Sequence, residues 1–304
     1  MDVSIIIVNY NTLHTTAACI ERIREITHGI DFEIIVVDNA SVDGSREYFI
    51  SDRRISYVYH HENIGFGRAN NLGLKIARGR NILFLNPDTL PVNNAVAILC
   101  QYLDQHNDVA AVGGNLYDEQ MQPALSFRRQ RPSILWELNR LICFMPERLC
   151  FPRRWYFNFV GRPIRVGYIT GADLMARHDT LSQIGGFASE YFMYYEDTDL
   201  CQRLKQFGNI VSVPDARIQH LEGGSFEHGP LNHRRIILSE QGRHIYYRRN
   251  HSRRHHFVSN IIYMLALRLH SLIYQWRHCN LRYKDCKIRL KIVKALQRTI
   301  FQAR

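Results

Sequence analysis

The chain has 304 residues, 46% hydrophobic and 22% charged, with a formal net charge of +11. That composition excludes disorder over most of the length and fits one large domain with an appendage or two small domains. The charge is uneven: residues 228–304 hold 17 Lys or Arg against 2 Asp or Glu, so that stretch carries +15 and residues 1–227 carry −4. Ser4–Val8 is a continuous β-branched run, the mark of a strand buried on both faces. Thr12–Ile26 follows with helical spacing, and Phe32–Val37 is a second buried strand ending in the polar turn Asp38-Asn39-Ala40-Ser41. A helix starts near Ser45, a short strand covers Ile55–His60, Gly67–Ala77 reads as helix and Asn81–Leu85 as strand. Val92–His106 is a helix and Val109–Gly113 a strand. Regular pattern is lost over 117–165, which is rich in Pro, Arg and aromatic residues, and this segment is expected to be inserted or mobile on the acceptor side of a site. Pattern returns at Gly167–Ala176, a helix covers Thr198–Gln206 and a strand lies near Ile210–Val213; the last 75 or so residues are helical and basic.

Alternating strands and helices predict an α/β domain over 1–227 with a mostly parallel central sheet, followed by a helical basic extension over 228–304. Ligands of such sheets bind beyond the carboxyl ends of the strands. Asn9, Asp38 and Asp88 each follow a strand and are expected to converge on one sheet edge. The seven cysteines are odd in number and contain no C-x-x-C, so unpaired buried thiols in a reducing cytosol are expected rather than a disulfide framework or zinc ribbon. No signal peptide is expected from the opening residues, and the most apolar stretch, Phe257–Tyr274, is interrupted by Asn260, Arg268 and His270.

Four segments carry the chemistry: Ser4–Asn11; Val36–Ser45; Asn63–Gly73 with Ile82–Thr89; and Thr170-Gly171-Ala172 with Gly185-Gly186-Phe187, Tyr194–Leu200 and His220. In order and spacing they resemble the family 2 glycosyltransferases with a GT-A fold, most closely the rhamnosyltransferase-like branch, over about residues 3–225. The resemblance implies an inverting transfer from a nucleotide-diphosphate sugar. By the same resemblance, Asp38 contacts the nucleobase, with Asn9 and Asp43 beside it. Each of these three also fits a turn or helix cap. Arg68, Asn70 and Asn71 are candidates for ribose or diphosphate, and Gly171 and Ala172 line the floor beneath the donor sugar, with Asp173 next to them.

Asn86-Pro87-Asp88 stands where the family carries D-x-D, with Asn in place of the first Asp. Asp88 is then the carboxylate for Mg²⁺ or Mn²⁺, and His220 completes the metal site; hard divalent cations accept few protein ligands when phosphates supply the rest. Glu196-Asp197 matches the acidic pair, with Asp197 as the base that deprotonates the acceptor hydroxyl. The alternative for both is a role as helix N-terminal charges. The glycines at 65, 67 and 73 do not make a dinucleotide fingerprint, because position 70 is Asn. No Gln-x-x-Arg-Trp follows Asp199, which argues for one sugar per encounter.

The implied partners are a nucleotide-diphosphate sugar, with dTDP-rhamnose first and a UDP-hexose or galactofuranose donor as the alternative, and a glycan or polyprenyl-diphosphate-linked acceptor of a bacterial surface polysaccharide. The implied location is cytoplasmic, peripheral on the inner face of the cell membrane. Apolar residues at 261, 265, 269, 272 and 276 leave two readings of the tail open: a helix on an anionic membrane surface, or one packed on the catalytic domain. Nucleic acid is not expected. A non-catalytic scaffold on a degenerate transferase fold is the competing functional class.

Overall fold

The computed structural model of the chain describes residues 1–145, 149, 156–221 and 231–300. Cys150, Trp155 and the expected boundary at 227/228 lie outside them. The chain divides into two compact units. One comprises Met1–Arg129, Arg153–Ser189 and Asp197–Phe226; the other comprises Gln130–Pro152, Glu190–Glu196 and Glu227–Arg304. The aperiodic segment 117–165 is thus shared between the two.

The first unit is built on β1 (Val3–Asn9), β2 (Phe32–Asn39), β3 (Ser56–His60), β4 (Asn81–Leu85), β5 (Thr89–Pro91), β6 (Val109–Tyr117), β10 (Asp173–Arg177) and β11 (Asn209–His220). They form one sheet in the order β3-β2-β1-β4-β10-β6-β11-β5, with the short β8 (Ile164–Arg165) also on β11. The pairs β1–β2, β1–β4, β2–β3 and β6–β11 are parallel. β10 runs antiparallel between β4 and β6, and β5 and β8 are antiparallel to β11. A pair of residues each from β7 (Phe127–Arg128) and β9 (Tyr168–Ile169) makes a separate antiparallel ladder.

Strand alternation sends the apolar residues of β1 into two cores. Ile5 and Ile7 join one cluster with Cys19, Ile20, Leu99 and Leu103, from α1 (Leu13–Ile26) and α4 (Ala95–Gln105). Ile6 and Val8 join the other with Ala69, Leu181, Leu200 and Leu204. These come from α3 (Phe66–Leu74), α6 (His178–Ile184) and α7 (Glu196–Leu204). Both faces of the sheet are covered, which is why β1 is buried along its whole length. α3 lies close to the sheet because position 73 is glycine: a Cβ there would sit 2.6 Å from Ile6 Cγ2. α2 (Ser45–Ile50) is a short element on β2 and β3.

The second unit contains α5 (Ile134–Leu141), α8 (His233–Asn250), α9 (Arg253–Trp276) and α10 (Asn280–Gln297). Its interior is ionic as well as apolar. Glu137 Oε1 accepts from Arg243 Nη2 at 2.9 Å and from the Tyr247 hydroxyl at 2.9 Å, and Arg243 also donates to Asn260 Oδ1 at 2.5 Å. Glu240 Oε1 accepts from Tyr263 at 2.7 Å and Arg289 at 2.6 Å. Arg243, which composition assigns to a basic surface, is therefore an internal cation, and Arg289 a partly buried one, each balanced by a buried carboxylate. None of the six described cysteines forms a disulfide; Cys19, Cys100, Cys201 and Cys286 are buried as expected. Cys143 and Cys279 depart from that expectation and are exposed, because they lie in the turns that follow α5 and precede α10.

Candidate active site

The expected convergence at the carboxyl edge of the sheet is visible in the register of β1 and β2, where Asn9 stands opposite Asp38. The side chains there hold one another. Asn9 donates to Ser41 Oγ at 2.9 Å and accepts from the Thr12 and Thr16 hydroxyls at 2.8 and 2.9 Å. Asp38 accepts from the Ser41 backbone N–H and from the Tyr57 hydroxyl, both at 2.8 Å. Asp43 accepts from Leu13 N–H, the first residue of α1, and from Ser45. Burial works against the Asp43 charge, but these hydrogen bonds prevail and hold its carboxyl below the usual range. Ala40 at φ 70° and Asn11 at φ 53° adopt left-handed backbone in the same two turns. A non-glycine residue held there marks a turn that its surroundings over-determine. Asn9, Asp38 and Asp43 thus brace the two turns at the carboxyl edge of β1 and β2.

The α3 residues are similarly engaged. Asn71 donates to Phe187 O at 2.8 Å and accepts from Phe187 N–H at 2.9 Å, and Asn70 is buried with its amide on Phe66 O at 3.1 Å. Arg68 is exposed, with Nε on Ser189 O at 2.6 Å. The side-chain amides of Asn70 and Asn71 are thus both engaged by backbone groups of the protein.

After β4 the chain turns through Asn86-Pro87-Asp88 into β5. Asn86 N–H donates to Ala172 O at 3.0 Å, linking this turn to the segment before β10. β11 brings His220 opposite Thr89, and its Nε2 lies 3.3 Å from Asp88 Oδ1 and 3.3 Å from Asn86 Nδ2. Among the described residues no group of three or more His, Cys, Asp or Glu is arranged to hold a metal. The pair Asp88–His220 supplies two adjacent ligand atoms, one oxygen and one nitrogen, which suits a divalent cation whose remaining ligands are diphosphate oxygens and water.

Asp197 is the second residue of α7. Its Oδ2 accepts from Gly171 N–H at 3.0 Å, and its Oδ1 accepts from Thr198 N–H at 2.6 Å. Burial raises the Asp197 pKa, and the hydrogen bonds from Thr198 and Gly171 offset part of that rise. Glu196, the first residue of the helix, is buried. Asp199, the other acid of this turn, is buried against Arg203 at 2.8 Å and serves the helix. Gly171 leaves room for contact: a Cβ there would meet Phe66 at 3.4 Å and Asp197 Cβ at 3.5 Å.

Asp173, next to this floor, is the residue whose state the sequence did not reveal. It is fully buried on β10, with Oδ2 accepting from Gly114 N–H at 2.5 Å and Oδ1 without a hydrogen bond. Burial pushes its carboxyl up to about 7, against the opposing pull of Gly114 and His220. A cavity of about 510 Å³ lined by Arg78, Arg80, Asp104 and His178 opens at the start of β4, the amino end of the parallel strands. It is remote from this chemistry by the topology of the sheet.

The family model for glycosyl transferase family 2 matches residues 4–169. Glycosyltransferase GlyG of Streptococcus pneumoniae is 30% identical over 120 residues, 38% of this chain and 39% of that protein. The N-acetylglucosaminyl-diphospho-decaprenol L-rhamnosyltransferase of Mycobacterium tuberculosis is 41% identical over 69 residues, 22% of each chain. This chain therefore spans well under half the length of these curated relatives. Among solved structures, mannosyltransferase PcManGT of Pyrobaculum calidifontis, in complex with GDP-Man and Mn²⁺, superposes with a TM-score of 0.59 at 16% identity, over 97% of this chain and 84% of that one. The shared fold is GT-A.

Proposed function

The chain belongs to glycosyl transferase family 2, a transferase family, and on that premise we propose an inverting glycosyltransferase that moves one sugar from a nucleotide diphosphate to a glycan or lipid-linked acceptor. The observation that carries the reading is the hydrogen bond from Gly171 to Asp197. It fixes one carboxylate of the acidic pair against the small-residue segment on which a donor sugar would rest. In this reading Asp197 accepts the proton of the acceptor hydroxyl. The hydroxyl oxygen bonds to the anomeric carbon as the bond to the diphosphate breaks, and the nucleotide leaves from the opposite face. The raised pKa of Asp197 suits a general base, because a stronger base takes the proton more readily. Asp88 and His220 would hold the divalent cation, Mg²⁺ or Mn²⁺, which when bound supplies positive charge beside the leaving diphosphate.

dTDP-rhamnose is the proposed donor, supported by the 41% identity to a rhamnosyltransferase over 69 residues. The proposed setting is bacterial surface polysaccharide assembly at the cytoplasmic face of the cell membrane. The test combines Asp197→Asn with a transfer assay and with melting in the presence of nucleotide diphosphates and Mn²⁺. Loss of a general base lowers the rate by about 10²- to 10⁴-fold. Nucleotide should still raise the melting temperature by mass action. Transfer that survives in Asp197→Asn removes Asp197 from the base role. A UDP-specific rather than a dTDP-specific shift would move the donor to a UDP-hexose or galactofuranose.

A further inference from the structure

Helix α9 is built inside out for a water-soluble protein. Its buried face carries His256, Ser259, Asn260, Tyr263 and Ser271 beside Ala266 and Leu267. Its exposed face carries Val258, Ile261, Leu265, Leu269, Leu272 and Trp276, spaced by three or four residues and so aligned on one stripe. Their exposures lie between 38% and 47% from Val258 to Leu269 and reach 63% at Leu272 and 82% at Trp276. A helix that faces water shows the reverse arrangement. The next helix, α10, packs on α9 and presents Lys284, Lys287, Lys291, Lys294 and Arg298 on its own exposed side, again at spacings of three and four.

We propose that the exposed face of α9, with the lysine stripe of α10, is a docking surface for the anionic lipid headgroups of a bilayer. The apolar stripe would enter the boundary between headgroups and acyl chains, and the lysines would neutralise lipid phosphates. The 24 residues of α9 are long and apolar enough to cross a bilayer. An in-plane position is favoured by its other face, where Asn260 and Tyr263 belong to the ionic interior of Glu137, Arg243, Glu240 and Arg289. Hydrocarbon on that side would strand those charges. The charge supports lipid over a second copy of the chain: the segment 228–304 carries 17 cationic against 2 anionic side chains, so two such surfaces repel.

The inference deepens the membrane setting proposed above but needs neither donor nor acceptor, so its failure leaves the transferase reading standing. The full chain is sedimented with vesicles of phosphatidylcholine alone and with added phosphatidylglycerol, at low and high salt. Binding should require the anionic lipid and weaken with salt. Each cation near an anionic leaflet contributes a factor of about five. The quadruple variant K284Q/K287Q/K291Q/K294Q should therefore bind at least about 50-fold more weakly. The triple variant L265Q/L269Q/L272Q should lose binding at both salt concentrations, with unchanged circular dichroism and melting temperature because all three side chains are exposed. Absence of binding to phosphatidylglycerol vesicles at low salt would overturn the proposal, as would triple and quadruple variants that bind like the parent. A dimer in solution that the triple variant converts to monomer, without vesicle binding by either, would assign the stripe to a second copy.

Discussion

Replacing Asp173 with Asn should stabilise the protein, and by more as pH rises. Asp173 is buried on β10, and burial pushes its carboxyl from an ordinary 3.8 up to about 7. The folded chain thus keeps a proton that the unfolded chain releases at much lower pH. Below about pH 3 both states are protonated and the group is neutral in its effect. Between there and pH 7 the unfolded chain gains by ionising while the folded chain does not, so stability is lost across that window. A shift of about 3 units corresponds to about 4 kcal/mol, nearly all of it lost by neutral pH and about 2 kcal/mol already lost at pH 5. Asn is neutral throughout, and its Oδ1 can accept the Gly114 N–H that Asp173 Oδ2 accepts at 2.5 Å. The unpaired half of the side chain is polar in both residues, so its cost does not vary with pH. Urea unfolding of parent and variant at pH 5 and pH 8 isolates the titration. The advantage of Asp173→Asn should grow by about 2 kcal/mol between the two. An advantage that is the same at both pH values, or that shrinks at pH 8, would refute the reasoning.

The transfer rate should fall as pH drops through a value above the ordinary Asp range, because Asp197 must be ionised and burial raises its pKa; a pH profile of kcat checks this. His220→Ala and Asp88→Ala should each abolish the Mn²⁺-dependent part of a nucleotide-induced melting shift, since the pair lies 3.3 Å apart and each would supply one metal ligand. Arg243→Met removes the nearer of two cations beside the buried Glu137 carboxylate, leaving Arg140 at 3.4 Å, and should cost about 3 kcal/mol in chemical unfolding. Adding Glu137→Gln should recover much of that loss. Gly242→Ala should lower the melting temperature, because a Cβ at 242 collides with the Tyr194 carbonyl oxygen. Tyr194 and Tyr195 already stand at φ 71° and 72°, so that turn has little freedom to retreat.

The sequence announced the elements whose two faces are both apolar. β1, β2 and β4 follow from unbroken runs of Ile, Val, Leu and Phe, and their polar successors Asn9, Asp38 and Asp88 follow from the rule that parallel sheets place ligands at one edge. Strand direction is not written in such a run. Gly167–Ala176 reads as regular pattern without a strand assignment, and the antiparallel place of β10 between β4 and β6 depends on partners far away in sequence. α5 escaped notice because Pro132 and the charged residues around it mask an eight-residue helix whose Ser133 cap is confined to one hydrogen bond, from Trp136 N–H at 3.3 Å. In the candidate site, Asp88, His220 and Asp197 are candidates through the resemblance to family 2 glycosyltransferases, not through composition or spacing. Whether Asn9, Asp43, Asn70 and Asn71 face a ligand or the protein is decided by hydrogen-bond geometry alone, and these side chains are engaged by the protein. The ionic interior of the helical unit was invisible because Arg243 and Arg289 look, in a list of charges, like any other member of a basic tail.

The two halves of the sheet edge differ in when they can exist. The cradle of Asn9, Ser41, Asp38 and Asp43 closes through contacts about thirty residues apart, the Asn9–Ser41 bond spanning 32 and the Leu13–Asp43 bond 30. The bond between Asn86 and His220 spans 134. During synthesis the Asn9–Asp38 side can form on the first third of the chain, whereas the side proposed to take the cation waits for β11 to leave the ribosome. Loop closure of that length also makes the late step the slower one. A nascent or truncated chain ending before residue 209 would therefore carry the first set of contacts without the Asn86–His220 bond, and the proposed nucleotide-diphosphate site would be complete only when β11 docks.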